Sequence, residues 1–219
     1  MSLEALTFAS LWMTVPLFAL GTVLHFLDVW SGHNRFVALF AAVNESYWEH
    51  IKIAFWPLCL YYAVMFAAGG HRFPGFVPAA TIALYAVPIA MIAIVFGYKR
   101  LTKRNILWLD ILVFLITMVV SLSVFVLLTA ELAASTLTIG LAGAFLLVLL
   151  FAFGTYTLRP PAETDIFLDP LIGRYGIAAH EHQQDRAPGC GVRVRALYVA
   201  NPSYPRASRE RLRARAVDD

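Results

Sequence analysis

The sequence predicts an all-α, polytopic membrane protein, a bundle of about five transmembrane helices with a short helix before the second one. Two observations predict this fold class. The first is composition, because 60% of the 219 residues are hydrophobic and 14% are charged. A soluble domain has roughly 45–50% apolar and about 25% charged residues. The second is that the apolar residues form uncharged runs about as long as the roughly 20 residues that span a bilayer as a helix.

Five uncharged runs are the predicted spans. Each run is continuous rather than alternating, which favours helices over the strands of a membrane barrel. The opening Met-Ser-Leu-Glu lacks the basic segment of a cleavable signal peptide, so we expect the first run to be a retained helix. The runs are residues 5–27, 53–70, 76–98, 111–130 and 132–158.

The basic residues predict how the helices are oriented. The loop 99–104, between the third and fourth spans, carries two lysines and two arginines. Loops rich in Lys and Arg stay on the cytoplasmic side of a membrane. With five spans, this rule places the N-terminus outside and the C-terminus in the cytoplasm.

The composition changes after the fifth span. Two prolines, Pro160 and Pro161, are predicted to end that helix, because Pro lacks a backbone donor and restricts the residue before it. The segment up to Gly176 is turn-rich, and we expect it to fold against the membrane face of the bundle. Later residues are rich in Arg, Ala, Pro and Ser. The sequence therefore predicts a transmembrane helical domain at 1–176 and a disordered basic cytoplasmic tail at 177–219.

The most informative segment is the polar stretch 43–52, which reads Val-Asn-Glu-Ser-Tyr-Trp-Glu-His-Ile-Lys. Ionisable groups within a membrane are costly and need partners, so they mark functional sites. If the stretch is helical, Glu45, Glu49 and Lys52 lie on one face at i, i+4 and i+7. The alternative is a capping box, in which Ser46 and Glu49 start the second helix and Lys52 neutralises Glu49.

A short apolar run, 36–43, precedes this stretch. It is too short to cross a bilayer, since it extends about 12 Å as a helix. We expect a short helix that either lies along the interface or enters the membrane and returns. The re-entrant alternative is typical of transporters with broken helices, whereas Tyr47 and Trp48 favour the interface, where amphipathic rings are enriched.

Topology predicts that further polar side chains meet this stretch at the cytoplasmic end of the bundle. His25 and Asp28 lie near the end of the first span, and Asp110 lies next to the start of the fourth. The alternative is that the end of any membrane helix is polar, which would account for the two aspartates. The candidate residues of a cytoplasm-facing polar site are His25, Asp28, Asn44, Glu45, Glu49, His50, Lys52 and Asp110.

Two kinds of chemistry fit these residues. Imidazole nitrogens and carboxylate oxygens bind divalent metals, and relaying protons or ions is the other standard use of ionisable groups inside a membrane. The sequence has no HExxH motif and no signature that supports haem ligation by its histidines. The candidate metal ligands are His25, Glu45, Glu49 and His50.

Three functions are left open by the sequence. The preferred hypothesis is a transporter-like or ion- or proton-coupled membrane protein. The first alternative is a membrane-embedded metal-dependent enzyme that acts on a lipid or isoprenoid, with Glu49 as general base. The second is an assembly or partner subunit of a membrane complex. We expect membrane lipids as partners and no nucleic acid, because the basic residues follow from topology; a protein partner or a homo-oligomer is left open.

Three segments of the chain resemble a family of small bacterial integral membrane proteins of uncharacterised function. They are residues 24–32, 43–52 and 167–176, and their most specific element is the string Asn-Glu-Ser-x-Trp-Glu-His-x-Lys. The resemblance covers about residues 6–176. It implies a multi-pass protein of a bacterial cytoplasmic (inner) membrane and gives no reaction, substrate or cofactor. It also implies that Trp48 matters together with Asn44, Glu45, Glu49, His50, Lys52 and His25, and that four residues after the fifth span belong to the folded unit, namely Asp169, Pro170, Tyr175 and Gly176.

Overall fold

The computed structural model describes residues 2–103, 106–161, 164–169, 173 and 175–176. Pro170 and the expected tail at 177–219 lie outside them. The long helices are α1 (Leu3–Trp30), α2 (Tyr47–Ala67), α3 (Phe76–Thr102), α4 (Leu107–Glu131) and α5 (Thr136–Leu158), with one-turn 3₁₀ helices at Val37–Leu39 and Gly70–Arg72. All five long helices are long and apolar enough to cross a membrane. Within the described residues, the predicted all-α class and the five helices of spanning length are therefore confirmed.

Local sequence explains where several helices begin and end. The Ser2 hydroxyl accepts a hydrogen bond from the Ala5 N–H at 3.1 Å and caps α1. Ser135 and Thr138 form a reciprocal capping box at the start of α5. Such caps satisfy backbone donors that the first turn of a helix leaves unpaired. At the other end of a helix, Lys103 adopts a left-handed φ of 54° and stops α3.

α2 is the central helix of the bundle, and it packs against α1, α3 and α4. Its side chains Phe55 and Leu58 are fully buried, as are Met118 and Phe125 of α4. Large apolar side chains on α1 and α5 stay exposed, among them Phe151. An interior of apolar side chains inside an apolar outer surface is the arrangement expected of a bundle whose solvent is lipid.

Tyrosine and serine hydroxyls are paired inside the bundle. Tyr61 lies 2.8 Å from the Ser10 hydroxyl, which joins α2 to α1. Tyr62 lies 2.9 Å from the Ser121 hydroxyl, and Ser121 donates to the Ala83 carbonyl at 2.8 Å, which joins α2 to α4 and α3. Buried hydroxyls need such partners, since an unpaired polar group in an apolar interior is destabilising.

Among the expected boundaries, the starts of the second and fifth spans are wrong. The second span was expected from residue 53, but α2 begins at Tyr47 with Ser46 as its N-cap in extended backbone conformation. Glu45 therefore lies before the helix and does not share a helical face with Glu49 and Lys52. The fifth helix begins at Thr136 instead of residue 132, because Ser135 caps it.

The run 36–43 forms only one 3₁₀ turn, Val37–Leu39, which packs against α5 and α1. Ala38 and Ala41 are buried. The Trp56 indole N–H donates to the Leu39 carbonyl at 3.0 Å. Irregular backbone at membrane depth requires partners of this kind within the protein. The expected short helix is thus a single turn held inside the end of the bundle.

Candidate metal centre

The candidate residues lie at one end of the bundle, where α1, α3 and α5 end and α2 and α4 begin. We call this the polar end. The structure separates most of the candidates into local groups instead of gathering them in one pocket. The groups are His25 with Glu45 and His50, Glu49 with Lys52, Asp28 with His33, and Asp110 with Tyr98.

The first group, which we call the three-donor cluster, combines His25 of α1, Glu45 of the loop before α2, and His50 of the first turn of α2. One ligand atom of each lies within 4.8 Å of the other two. Glu45 Oε1 lies 3.8 Å from His25 Nε2, and Glu45 Oε2 lies 3.8 Å from His50 Nε2. The three side chains are between 26% and 35% exposed. The donors thus surround a space that remains accessible from outside.

The spacing of the three-donor cluster suits a small metal ion. A tetrahedral zinc site with ligand distances near 2.1 Å separates its ligand atoms by about 3.4 Å. The two Glu45 distances of 3.8 Å join different carboxylate oxygens to the two rings, and the set with one ligand atom per residue lies within 4.8 Å. The donors must therefore draw together by up to about 1.4 Å to reach the tetrahedral separation around one ion.

A hydrogen bond fixes the orientation of the His50 ring. Its Nδ1 lies 2.9 Å from the Ser46 carbonyl oxygen. A carbonyl only accepts, so Nδ1 carries the proton and donates it. In the neutral form of this ring, Nε2 carries the lone pair and lies on the side of Glu45. Metal-binding imidazoles characteristically donate their second N–H to a carbonyl or carboxylate in this way.

The His25 ring lies beside the His50 ring, with 5.3 Å between their centroids. Its Nε2 is the nitrogen that faces Glu45. Its Nδ1 is buried and has no hydrogen-bond partner within the described part of the chain. The two imidazoles therefore approach Glu45 from α1 and α2, and this convergence is a property of the tertiary fold.

The chain after α5 positions the backbone beside Glu45. Asp169 Oδ2 accepts from the Glu45 N–H at 3.1 Å. Next to it, the Asn44 amide donates to the Gly176 carbonyl at 3.1 Å. Tyr175 pairs with Leu168 in an antiparallel bridge, which brings this segment back on itself. Three expected members of the folded unit, Asp169, Tyr175 and Gly176, thus lie against or next to the loop that carries Glu45.

Trp48 anchors the start of α2 by aromatic packing. Its ring centroid lies 4.8 Å from that of Phe153, 5.0 Å from Phe167 and 5.4 Å from Tyr156. Its backbone N–H donates to the Ile166 carbonyl at 3.0 Å. Trp48 therefore joins α2 to α5 and to the chain that follows α5.

Glu49 and Lys52 form a buried ion pair inside the polar end. Lys52 Nζ lies 2.5 Å from Glu49 Oε2, and both side chains are nearly inaccessible. Lys52 also donates to the Ala38 carbonyl at 2.7 Å and to the Thr157 hydroxyl at 3.3 Å. The Val43 N–H donates to Glu49 Oε2 at 3.0 Å. The structure does not bring Glu49 into the three-donor cluster, because its carboxylate is directed at Lys52 and Val43.

The capping box considered for this segment is half present. The Glu49 N–H donates to Ser46 Oγ at 3.4 Å, so Ser46 caps α2. The second hydrogen bond of a capping box would join the Ser46 N–H to the Glu49 side chain. Here the Ser46 N–H donates to Asn44 Oδ1 instead, at 2.9 Å. Asn44 therefore takes the role expected of Glu49, and the Glu49 side chain is left for the ion pair.

Asp28 and Asp110 pair with residues outside the cluster. His33 Nδ1 lies 2.7 Å from Asp28 Oδ2, in the turn that follows α1. The Tyr98 hydroxyl donates to Asp110 and so joins the end of α3 to the start of α4. Neither carboxylate belongs to the three-donor cluster found in the described ranges.

Sequence reasoning missed the partners that are distant along the chain. Asp169 lies 124 residues from Glu45, and Thr157 lies 105 residues from Lys52. The Ala38 carbonyl, which accepts a hydrogen bond from Lys52, is a backbone group, so no side-chain motif indicates it. Composition and spacing contain no signal for such contacts, which only the packing of α5 against the loop creates.

Comparison with protein-family models matches residues 1–177 to the model described as Family of unknown function (DUF6512). No curated protein and no solved structure matches the chain. The matched range contains all five helices, the three-donor cluster and the segment that holds Glu45 in place.

Proposed function

The chain belongs to this family of unknown function, and we propose that it is a metal-dependent membrane enzyme whose centre is the three-donor cluster. One observation carries the proposal: ligand atoms of His25, Glu45 and His50 converge within 4.8 Å from three separate parts of the fold. Two imidazoles and one carboxylate are a ligand set of catalytic zinc centres, which keep the remaining position for water or substrate. Ions in such centres polarise a substrate oxygen or activate a bound water.

The exposure of the donors supports an open centre. Structural zinc sites are closed by four protein ligands. Here the three donor side chains keep about a quarter to a third of their surface accessible, at 26% to 35%. An ion held by them would present its free position to the outside of the protein, where a substrate can reach it.

Glu49 takes a different role from the general base considered at first. Its carboxylate contacts Lys52 and the Val43 N–H inside the protein. Lys52 in turn holds the Ala38 carbonyl. The pair therefore fixes both ends of the loop segment that precedes Glu45, and we assign it a positioning role for the metal ligand.

Ion or proton coupling is a second proposal, because His25, Glu45 and His50 are also the side chains that a relay would use. Two features favour the enzyme. The fully buried Phe55 and Met118 fill the interior beyond the polar end, so passage of a solute requires the helices to separate. Transporter sites also lie near the bilayer midplane, whereas this cluster lies at one end of the bundle.

The test is metal binding by the full-length protein purified in detergent and loaded with Zn²⁺ or Co²⁺. We expect about one ion per chain and at least about a tenfold loss of affinity in His25→Ala, Glu45→Gln and His50→Ala. His71→Ala is the matched control, since His71 is exposed and bonds the Phe66 carbonyl near the other end of α2. Absence of metal, or variants that bind as tightly as wild type, would refute the proposal.

A transport assay separates the two functions. Proton or ion uptake into proteoliposomes that is independent of metal, and that Glu45→Gln abolishes, would support coupling over the enzyme. Metal binding together with no uptake would support the enzyme.

We also propose that the polar end faces the cytoplasm of a bacterial cell. Lys99 and Arg100 in the last turn of α3, with Lys103 directly after it, support this orientation because they make the polar end basic. Single-cysteine variants test it in a chain without Cys59 and Cys190. Labelling of Ser31→Cys by an impermeant reagent in intact cells, with Ala134→Cys protected, would contradict the orientation.

A further inference from the structure

We infer that the metal centre takes the phosphate headgroup of a membrane lipid, which reaches it along an exposed aromatic edge of α1. This aromatic edge consists of Phe26 and Trp30, and it adjoins His25. The inference rests on the proposed function, because the bound ion supplies the charge that the headgroup meets. It names the substrate class of that same site.

Contacts join the aromatic edge directly to a metal ligand. The centroid of the Phe26 ring lies 5.0 Å from that of His25. Phe26 stacks on Trp30 with 5.9 Å between centroids and an interplanar angle of 25°. Phe26 is 48% exposed and Trp30 is 67% exposed. These rings lie on a helix of membrane-spanning length, so acyl chains are the surroundings that their exposed faces meet.

The cluster lies close to the depth of a lipid headgroup. Tryptophan rings are enriched at the level where headgroups meet acyl chains. His25 lies five residues before Trp30, the last residue of α1, and is therefore about 7.5 Å deeper along the helix axis. Glu45 and His50 lie in the loop before α2 and in its first turn, so an ion held by the cluster meets a lipid phosphate that approaches from the headgroup side.

Protein covers the cluster on the side of the bundle interior. The Ala42 N–H donates to the Leu24 carbonyl at 3.2 Å, so the loop is bound to α1 immediately beside His25. Val43 is buried, and Asp169 holds the Glu45 backbone from the side of the chain that follows α5. The accessible part of the donors is therefore on the outer side, where the aromatic edge lies.

The charge of the centre selects an anionic oxygen. A divalent ion with one carboxylate from Glu45 and two neutral imidazoles carries a net charge of about +1. Phosphoryl oxygens are among the groups that such ions polarise. A phosphate monoester on an acyl chain satisfies both requirements, because its anion meets the ion while its chain lies along the aromatic edge.

The experiment uses the full-length protein loaded with Co²⁺ in detergent micelles and follows the Co²⁺ absorption spectrum. The probes are lysophosphatidic acid, inorganic phosphate and an uncharged monoacylglycerol. We expect lysophosphatidic acid to change the spectrum with saturation. The monoacylglycerol, which lacks the anion, should leave it unchanged, and inorganic phosphate should act only at a concentration at least about tenfold higher, because it lacks the chain.

Variants of the aromatic edge test whether the protein recognises the acyl chain or whether the lipid binds only because micelles concentrate it. Trp30→Ala should raise the half-saturating mole fraction of lysophosphatidic acid about threefold or more. It should not change the affinity for Co²⁺ or the response to inorganic phosphate. Trp12→Ala is the matched control, since Trp12 lies on the same helix far from His25 and is 69% exposed.

The outcomes distinguish this inference from the proposed function. If Trp30→Ala and Trp12→Ala respond alike, or if inorganic phosphate binds as well as the lipid, the centre takes phosphate from water and the inference is overturned. The metal-dependent function would stand in that case. If the wild-type chain binds no Co²⁺, the proposed function fails first, and the inference fails with it.

Discussion

Replacing Lys52 with Met tests whether the buried ion pair stabilises the polar end. Lys52 is fully buried and contacts Glu49 at 2.5 Å and the Ala38 carbonyl at 2.7 Å. Met is similar in length but has no charge and no donor. Lys52→Met therefore leaves a buried carboxylate without its counter-ion and a buried carbonyl without its donor.

The expected magnitudes follow from what each variant leaves behind. Removing one partner of a buried pair lowers stability by about 3–5 kcal/mol, because the remaining charge stays buried. Glu49→Gln leaves the buried Lys52 ammonium group without its counter-ion and should lower stability by a similar amount. The double variant removes both charges, and the introduced amide oxygen still accepts from the Val43 N–H. The Ala38 carbonyl and the Thr157 hydroxyl then lose the Lys52 donor, and an unpaired buried group lowers stability by about 1–3 kcal/mol.

The double variant should therefore be more stable than either single variant. The measurement is the free energy of unfolding from titration with dodecyl sulfate in mixed micelles, followed by far-ultraviolet circular dichroism. Arg100→Met, at an exposed position, is the control and should change stability by less than about 0.5 kcal/mol. A double variant destabilised by the sum of the two single effects would show that the pair does not act as a unit.

Four further substitutions are predicted for the same titration. Gly21→Ala should lower stability by about 1–3 kcal/mol, because a Cβ there would lie 2.6 Å from Phe114 Cζ. Gly143→Ala, where a Cβ meets nothing within 4 Å, should raise stability by up to about 1 kcal/mol. Equal effects of the two glycine substitutions would contradict the close approach of Phe114 to Gly21. Ser135→Ala removes the cap of α5, and Trp56→Phe removes the hydrogen bond to the Leu39 carbonyl. Each substitution should lower stability by about 1 kcal/mol. A variant as stable as the wild type would contradict the role given to that residue.

The spans could be predicted because span length and apolarity are local properties of the sequence. All five long helices occur where uncharged runs predicted them. The start of α2 was predicted at Ser46 by the capping-box alternative, whereas the uncharged run predicted it at residue 53, because residues 47–52 look too polar for a membrane helix. They are helical since Glu49 and Lys52 neutralise each other and since Thr157, on α5, contributes a further partner.

The candidate site could be predicted only as a set of residues and not as a geometry. Glu49 and His50 are neighbours in the sequence, and successive residues of a helix point about 100° apart. Helix geometry therefore predicts that the two side chains diverge. It does not predict which of them faces the interior of the bundle. The loop decides this, because the Val43 N–H and the Ala38 carbonyl lie inside and attract Glu49 and Lys52. His50 is left on the side of His25 and Glu45.

The buried ion pair and the metal centre are linked by the backbone between them. A buried pair is weak evidence for stability by itself, since well-packed apolar residues often do as well. Apolar residues cannot, however, satisfy the Ala38 carbonyl and the Val43 N–H, and unpaired backbone groups are excluded from a membrane interior. Glu49 and Lys52 satisfy both groups and so allow an irregular loop to place Glu45 between two imidazoles. Glu49→Gln/Lys52→Met should accordingly weaken metal binding although neither residue is a ligand, and unchanged affinity would show that the loop holds Glu45 without the pair.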